Sequence, residues 1–335
     1  MERADQRLEY EAIHSGAGLR VFDNRLIVRV SGDDGITFMH GMCTADVKGL
    51  LPGGLARALF LTEHAHVIAE AYIYALEEQA LWLEVERTRW PTIREHLERF
   101  LVADDVELQE LDTLAILDVE GPASLDAVAN YFGEDTRKLK QWRHLNRGGF
   151  RIANLPRCGG PAVTVIGERA ALLTIAANIR GSRPELREVK AETLEILRIE
   201  NGLASVGIDT SERTLALEAR LESAISFNKG CYVGQETIER ASAHGSLKRR
   251  LCALRIAGDE MPRAGASIKL NGKEIGRLSS VARSPSTGVI GLGILHYSAW
   301  PAGTCVSIIC DGTALSASVC ELPFGRLGIA GASDA

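Results

Sequence analysis

Long hydrophobic runs are missing from this chain. Nowhere in its 335 residues does an apolar stretch approach the ~18 needed to span a bilayer. The opening MERADQRLEY has no apolar core and carries acids that a transit peptide would lack. A basic excess is missing too: Lys and Arg total 38 against 44 Asp and Glu, a net charge of −6. That argues against a general polyanion binder and leaves room for a small anion in a local basic pocket. Aromatics are scarce at 5% while Gly is abundant at 33, which suits a turn-rich mixed fold. The seven cysteines (Cys43, Cys158, Cys231, Cys252, Cys305, Cys310, Cys320) contain no CxxC pair, and His is scattered singly, so no zinc spacing is present. Together these absences read as a reduced, cytoplasmic protein with no membrane segment, no metal site and no direct nucleic-acid partner.

What is present is ordinary globular usage, 46% hydrophobic and 24% charged, which argues against long disorder or a rod. The length predicts about two domains, or one large one with an appendage. A β-rich run over 26–30 leads into Ser31-Gly32-Asp33-Asp34, where Ser31 or Asp33 can cap a helix packed through Ile36, Phe38 and Met39. Strands are predicted over 56–61, 67–76 and 81–85, the last with Leu81/Leu83/Val85 alternation. Pro91 opens a helix with a stripe of Trp90, Ile93, Leu97, Phe100 and Leu101. A strand over 114–119, a helix after Gly121-Pro122, strands over 150–155 and 162–166 and a helix over 168–179 follow. The strands are short and partly hairpin-like, which favours α+β over a doubly wound parallel sheet.

Near residue 247 the texture changes. Residues 251–256 alternate as a strand, and Asn271-Gly272 between two β-like runs is a hairpin signal, because the pair readily supplies the positive φ angles of a type I′ turn. Further short strands with Gly-rich turns and no helical stripe predict an all-β barrel or sandwich. The expected organisation is a body over 1–246, a β-barrel domain over 247–327 and a loose tail over 328–335.

Three segments stand out from scaffold. In Arg198-Ile199-Glu200-Asn201-Gly202, Gly202 is a natural helix C′ residue, so Glu200 lies in a last turn whose dipole disfavours an anion. Either a ligand or basic partner holds it there, or it is an exposed surface Glu. In Asn228-Lys229-Gly230-Cys231-Tyr232-Val233-Gly234-Gln235-Glu236, two glycines bracket a Cys, a Lys precedes it and a helix starts after Gly234. That setting can favour a thiolate at Cys231, although a structural Cys fits the composition as well. Gly245-Ser246-Leu247-Lys248-Arg249-Arg250 reads as an anion site or as a solvated linker.

The stretch from Lys229 to Glu236, with Arg240 beyond it, resembles the signature of the YgfZ-type proteins. These are folate-binding iron–sulfur cluster assembly and repair factors, relatives of the glycine-cleavage aminomethyltransferase, or T-protein. Gly32-Asp33-Asp34, Phe38, Gly41, Thr44, Asp46 and Val47 resemble the family's N-terminal pattern, and Arg198 to Gly202, then Gly207, its RxExG…G segment. His244-Gly245 through Leu251 resembles the stretch leading into its barrel and Gly276 through Gly293 the barrel itself, so the likeness covers roughly residues 8–325. It implies a ring-like α+β body with a central tetrahydrofolate pocket, followed by a C-terminal barrel. It also implies Glu200 as the pterin anchor, since a carboxylate can accept paired hydrogen bonds from the pterin amino group and ring N–H.

The aminomethyltransferases carry an acidic pair whose aspartate assists one-carbon transfer, and the matching pair here is Ala69-Glu70. The longer Glu70 side chain shifts the carboxylate by about a methylene, and catalytic positioning is sensitive to ~1 Å. The expected function is therefore a folate-binding factor for assembly or repair of [4Fe–4S] clusters, including those of tRNA-modifying radical enzymes. Its partners would be iron–sulfur client or assembly proteins, and its cluster contact transient, since one Cys cannot hold a cluster alone. Cys231 would be the functional thiol, with Arg240 and Lys229 tuning it or binding an anionic group. The alternative is a tetrahydrofolate-dependent aminomethyltransferase or demethylase using Glu70 as acid/base.

Overall fold

A computed structural model describes residues 2–244 and 247–324; the tail over 328–335, with Gly245 and Ser246 of the basic run, lies outside the described residues. The chain forms two compact units. Of the described residues, one holds 2–193, Glu212–Ala216 and Leu221–His244; the other holds Leu194–Ser211, Leu217–Arg220 and 247–324.

The first unit carries two sheets. Five strands run in the order Leu55–Leu61, Val67–Ala75, Leu81–Glu86, Arg25–Ser31, Glu107–Glu110. Six run in the order Arg187–Glu188, Gly18–Phe22, Leu114–Glu120, Ala162–Glu168, Phe150–Asn154, Arg143–Arg147. Gly18–Phe22 pairs in parallel with Arg187–Glu188, and its pairing with Leu114–Glu120 is antiparallel. Helices Gly35–Met42 and Trp90–Phe100 cover the five-stranded sheet, burying Phe38, Met39, Trp90, Ile93 and Leu97 against Val28, Phe60, Ile73 and Leu83. Ser124–Phe132 and Arg169–Ser182 cover the other through Val128, Leu172, Ile175 and Ile179. The α+β architecture is thus the one the sequence predicts.

The strands Gly18–Phe22, Glu107–Glu110 and Arg143–Arg147 were not predicted, and further local details differ from expectation. Asp34, not Ser31 or Asp33, precedes the helix Gly35–Met42, and no side chain caps it. The Asp34 carboxylate instead accepts the Asp105 N–H at 2.9 Å while the Asp33 N–H donates to the Asp105 carboxylate at 3.1 Å, tying this turn to a distant loop. A helix over Glu2–Ser15 precedes the first predicted element; it buries little beyond Tyr10, Ala12 and Ile13, too weak a stripe to announce itself.

The second unit is a closed six-stranded barrel in the order Arg249–Ile256, Gly288–His296, Lys273–Ser284, Ser267–Leu270, Cys305–Cys310, Thr313–Cys320. Leu254, Ile268, Leu295, Val306 and Ile308 fill it. Asn271 and Gly272 turn the predicted hairpin at φ +52° and +81°, and closure leaves no free edge.

Where the two sheets of the first unit face each other, an apolar cluster including Ile27, Leu55, Tyr74, Ile116 and Ile166 borders a set of buried charges. The Glu84 carboxylate, fully buried, accepts from Arg157 at 2.7 and 3.2 Å, from Arg25 at 2.9 Å and from the Tyr74 hydroxyl at 2.7 Å. Burial alone would raise its pKa; Arg157 and Arg25 outweigh burial and hold it down to about 2. Asp118 and Glu120, alternate residues of one strand, show the opposite balance. Burial pushes both up, and the neighbouring Asp118 charge adds to it at Glu120, which lies well above the ordinary 4.5.

A group whose folded pKa is raised contributes stability that is full below its unfolded value and lost as pH rises toward the folded one. Glu120→Gln keeps an acceptor for the Cys158 amide at 3.2 Å and removes that titration. Its melting midpoint should therefore fall less than the wild-type midpoint as pH rises above 4.5. Parallel thermal melts across that range check this, and an identical decline would refute it.

Candidate functional site

The cysteine segment is built on the end of the helix Gly35–Met42. The Lys229 ammonium donates to the His40 carbonyl, to that of Cys43 at 2.7 Å and to that of Ala45 at 2.8 Å, and lies 4.9 Å from the Tyr232 ring centre. All three of its N–H donors thus serve chain carbonyls, and burial lowers its pKa. The Val233 N–H donates to the Gly41 carbonyl at 3.1 Å. Gly234 sits at φ +86°, and a Cβ there would meet the Thr62 carbonyl at 2.6 Å, so both conformation and close approach require glycine. Between these anchors Cys231 is exposed, four residues ahead of the helix Gln235–His244.

Thr44 braces the same platform from beneath. Its hydroxyl donates to the Ala224 carbonyl at 2.5 Å and accepts the Leu59 N–H at 2.8 Å, while its carbonyl accepts the Ser226 N–H at 2.9 Å. The patterns noted separately around Phe38–Val47 and Lys229–Glu236 are therefore two halves of one structure. Sequence spacing could not show this, because Lys229 and Ala45 are 184 positions apart. Arg240 is on the exposed side of the following helix, 3.8 Å from Glu236. Of the other cysteines, Cys43, Cys158 and Cys252 are buried, whereas Cys305 is exposed, so packing does not account for all six.

Glu200 belongs to the second unit. It ends the helix Ala191–Glu200 as predicted, with Gly202 at φ +68°, but its side chain is buried, which overturns the exposed-surface alternative. Its Oε1 accepts from the Ser284 hydroxyl and from the Ser286 hydroxyl at 3.3 Å. Two residues earlier, Arg198 donates to Asp209 at 2.6 Å and to the Ser280 hydroxyl at 2.6 Å, and Asp209 also accepts from the Ser280 hydroxyl at 2.7 Å. Sequence reading missed Asp209; its place two residues beyond Gly207 was the available signal. Two cations of the basic run have internal partners: Arg249 binds Glu218 through two 3.0 Å hydrogen bonds, and Arg250 lies 4.5 Å from the Trp300 ring centre.

Glu70, in the first unit, is clamped by Arg57 through bonds of 2.8 and 3.0 Å. Burial would raise its pKa, but Arg57 prevails and the carboxylate stays below its ordinary range. Arg57 was not foreseen; the register that places it two pairs along from Glu70, with Leu59 opposite Glu70 and Arg57 opposite Tyr72, is a property of the folded sheet. Among the described residues no group of three or more His, Cys, Asp or Glu could hold a metal ion, and no helix is long and apolar enough to cross a membrane.

A mixed α/β body joined to a closed six-stranded barrel defines a two-part class of protein. The chain belongs to the glycine cleavage T-protein family: residues 3–229 match the GCVT N-terminal domain and residues 249–325 the glycine cleavage T-protein C-terminal barrel domain. It is 29% identical over 326 residues (91% of this chain, 73% of the relative) to an Arabidopsis thaliana protein named "Putative transferase At1g60990, chloroplastic". It is 24% identical to the aminomethyltransferase of Bacillus subtilis, covering 94% of this chain and 90% of that one. It is 26% identical to the tRNA-modifying protein YgfZ of Escherichia coli, covering 75% and 76%. The solved glycine cleavage system aminomethyltransferase T of Bartonella henselae superposes with a TM-score of 0.87 over 95% of this chain and 88% of that one, at 21% identity, and shares its fold.

Proposed function

We propose that this protein is a cytoplasmic folate-binding factor that supports assembly or repair of iron–sulfur clusters, with Cys231 as its functional thiol. The observation that carries the reading is an exposed cysteine on a loop pinned on both sides, at Lys229 and at Val233-Gly234. A thiol held out to solvent on a fixed loop suits brief contact with a cluster delivered to, or damaged in, a client protein. A single thiolate needs ligands from that partner, so the cluster is cargo and not a resident group. Clients of the [4Fe–4S] radical class, including tRNA-modifying enzymes, fit this role. Arg240, 3.8 Å from Glu236, is assigned to an anionic group, and Lys229 acts by supporting the loop.

Tetrahydrofolate is the ligand assigned to Glu200. The Ser284 and Ser286 hydroxyls orient one carboxylate oxygen, and a carboxylate suits a ligand that bears adjacent N–H donors. Glu200→Gln should weaken tetrahydrofolate by about tenfold or more in isothermal titration. Unchanged affinity would remove Glu200 from the site.

The aminomethyltransferases that align over nearly the whole chain support a second reading, a folate-dependent transferase or demethylase with Glu70 as acid/base. The Arg57 clamp weighs against it, because both Glu70 oxygens already accept hydrogen bonds. Formation of methylene-tetrahydrofolate from an aminomethyl donor, lost in Glu70→Ala, would favour the transferase.

A further inference from the structure

A cleft of about 280 Å3 opens in the first unit. Its lining includes the apolar Leu55, Ile225 and Trp142 and the polar Arg57, Ser223 and Ser226. Its walls are fixed before any ligand arrives. Thr44 grips residues 224 and 226 from behind, as described above. The Trp142 N–H donates to the Asn154 carbonyl at 2.9 Å and its carbonyl accepts the Leu55 N–H at 3.1 Å, so this residue is tied to both sheets. Those two bonds hold Trp142 at φ +60°, a left-handed conformation that a bulky side chain rarely adopts.

The cleft is rich in donors. Arg57 meets Glu70 through Nε and Nη2, and its Nη1 makes no hydrogen bond within the described residues. Nor do the Ser223 and Ser226 hydroxyls or the Trp142 indole N–H, and none of these is a buried orphan, so each is open to solvent or to a ligand. Asp46, the acid among the lining residues, already accepts the Gly49 N–H at 3.1 Å and lies 3.3 Å from His40. An aromatic residue and a partly used guanidinium among the lining residues call for a planar ligand with an acceptor group. The volume, at the small end for ligand pockets, suits a small ligand.

We propose that this cleft binds a small aromatic carboxylate, its ring against Trp142 and its carboxylate on the open end of Arg57, with Ser223 and Ser226 donating to the same oxygens. Fork-like pairing makes Arg the suited partner for a carboxylate. The site uses first-unit residues alone and stands whether or not Glu200 binds a pterin.

Isothermal titration of the full chain with benzoate, and with neutral benzamide as its isostere, tests the assignment. Saturable benzoate binding is expected, weakened about tenfold or more in Trp142→Asn and in the Ser223→Ala/Ser226→Ala double variant, with benzamide weaker by a similar factor. Asn tolerates the left-handed backbone, so Trp142→Asn removes the ring without straining the turn. If that variant fails to fold, the serine variant decides. No saturable benzoate heat, equal binding of benzamide, or full binding by a folded variant of either kind overturns the proposal.

Discussion

Cys231→Ser is expected to abolish rescue of a cluster-maturation defect while leaving the protein folded. The substitution exchanges sulfur for oxygen at an exposed position and touches none of the bonds that fix the loop. Stability should therefore move by no more than about 0.5 kcal/mol. The loss would be chemical: a serine hydroxyl does not ionise near neutral pH and neither ligates iron nor exchanges with sulfur as a thiolate does. Cys305→Ser is the matched control, since Cys305 is also exposed but lies on the barrel strand Cys305–Cys310. Rescue by the Cys305 variant and failure by the Cys231 variant supports the thiol assignment. Full rescue by Cys231→Ser ends it.

Arg157→Ala should be the most destabilising single change in the first unit, by about 3–5 kcal/mol, because it strips a buried carboxylate of its main partner. Arg157 supplies two of the four hydrogen bonds on Glu84, sits 3.5 Å from Asp118 and stacks 5.1 Å from the Tyr72 ring centre. Arg25 and Tyr74 alone would then face Glu84. Glu84 contributes stability that is full above its ordinary pKa of 4.5 and lost as pH falls toward about 2. With Arg157 gone the folded pKa rises, so part of that contribution is lost at every pH above it. Urea melts of wild type, Arg157→Ala and Arg157→Met separate lost charge from lost packing. A drop under about 1 kcal/mol in both variants would mean that Arg25 and Tyr74 suffice.

Much of the fold was legible because strands and hairpins advertise themselves locally. The alternation of Leu81, Leu83 and Val85 places three side chains on one buried face, and Asn271-Gly272 turns where the backbone needs positive φ. Gly202 ends its helix for the same local reason. The site was legible only in its residue types. That Lys229 serves the carbonyls of His40, Cys43 and Ala45, that Arg57 clamps Glu70 and that Glu200 is covered by Ser284 and Ser286 are long-range facts, carried by neither periodicity nor spacing. Glu200 shows the limit best. The helix C-terminus disfavours its charge locally, and the residues that accept it there lie more than 80 positions further along.

The interrupted six-stranded sheet has a consequence for synthesis. Gly18–Phe22 emerges from the ribosome early, yet its antiparallel neighbour is Leu114–Glu120 and its parallel neighbour Arg187–Glu188. The five-stranded sheet is made of residues 25–110 and fits entirely inside that gap. It has all its partners on hand while the strand before it waits with both edges unpaired, the kind of exposed edge that templates wrong pairings. Newly made chains should thus order from the inserted sheet outward, and the unit's first strand should be among the last to become protected.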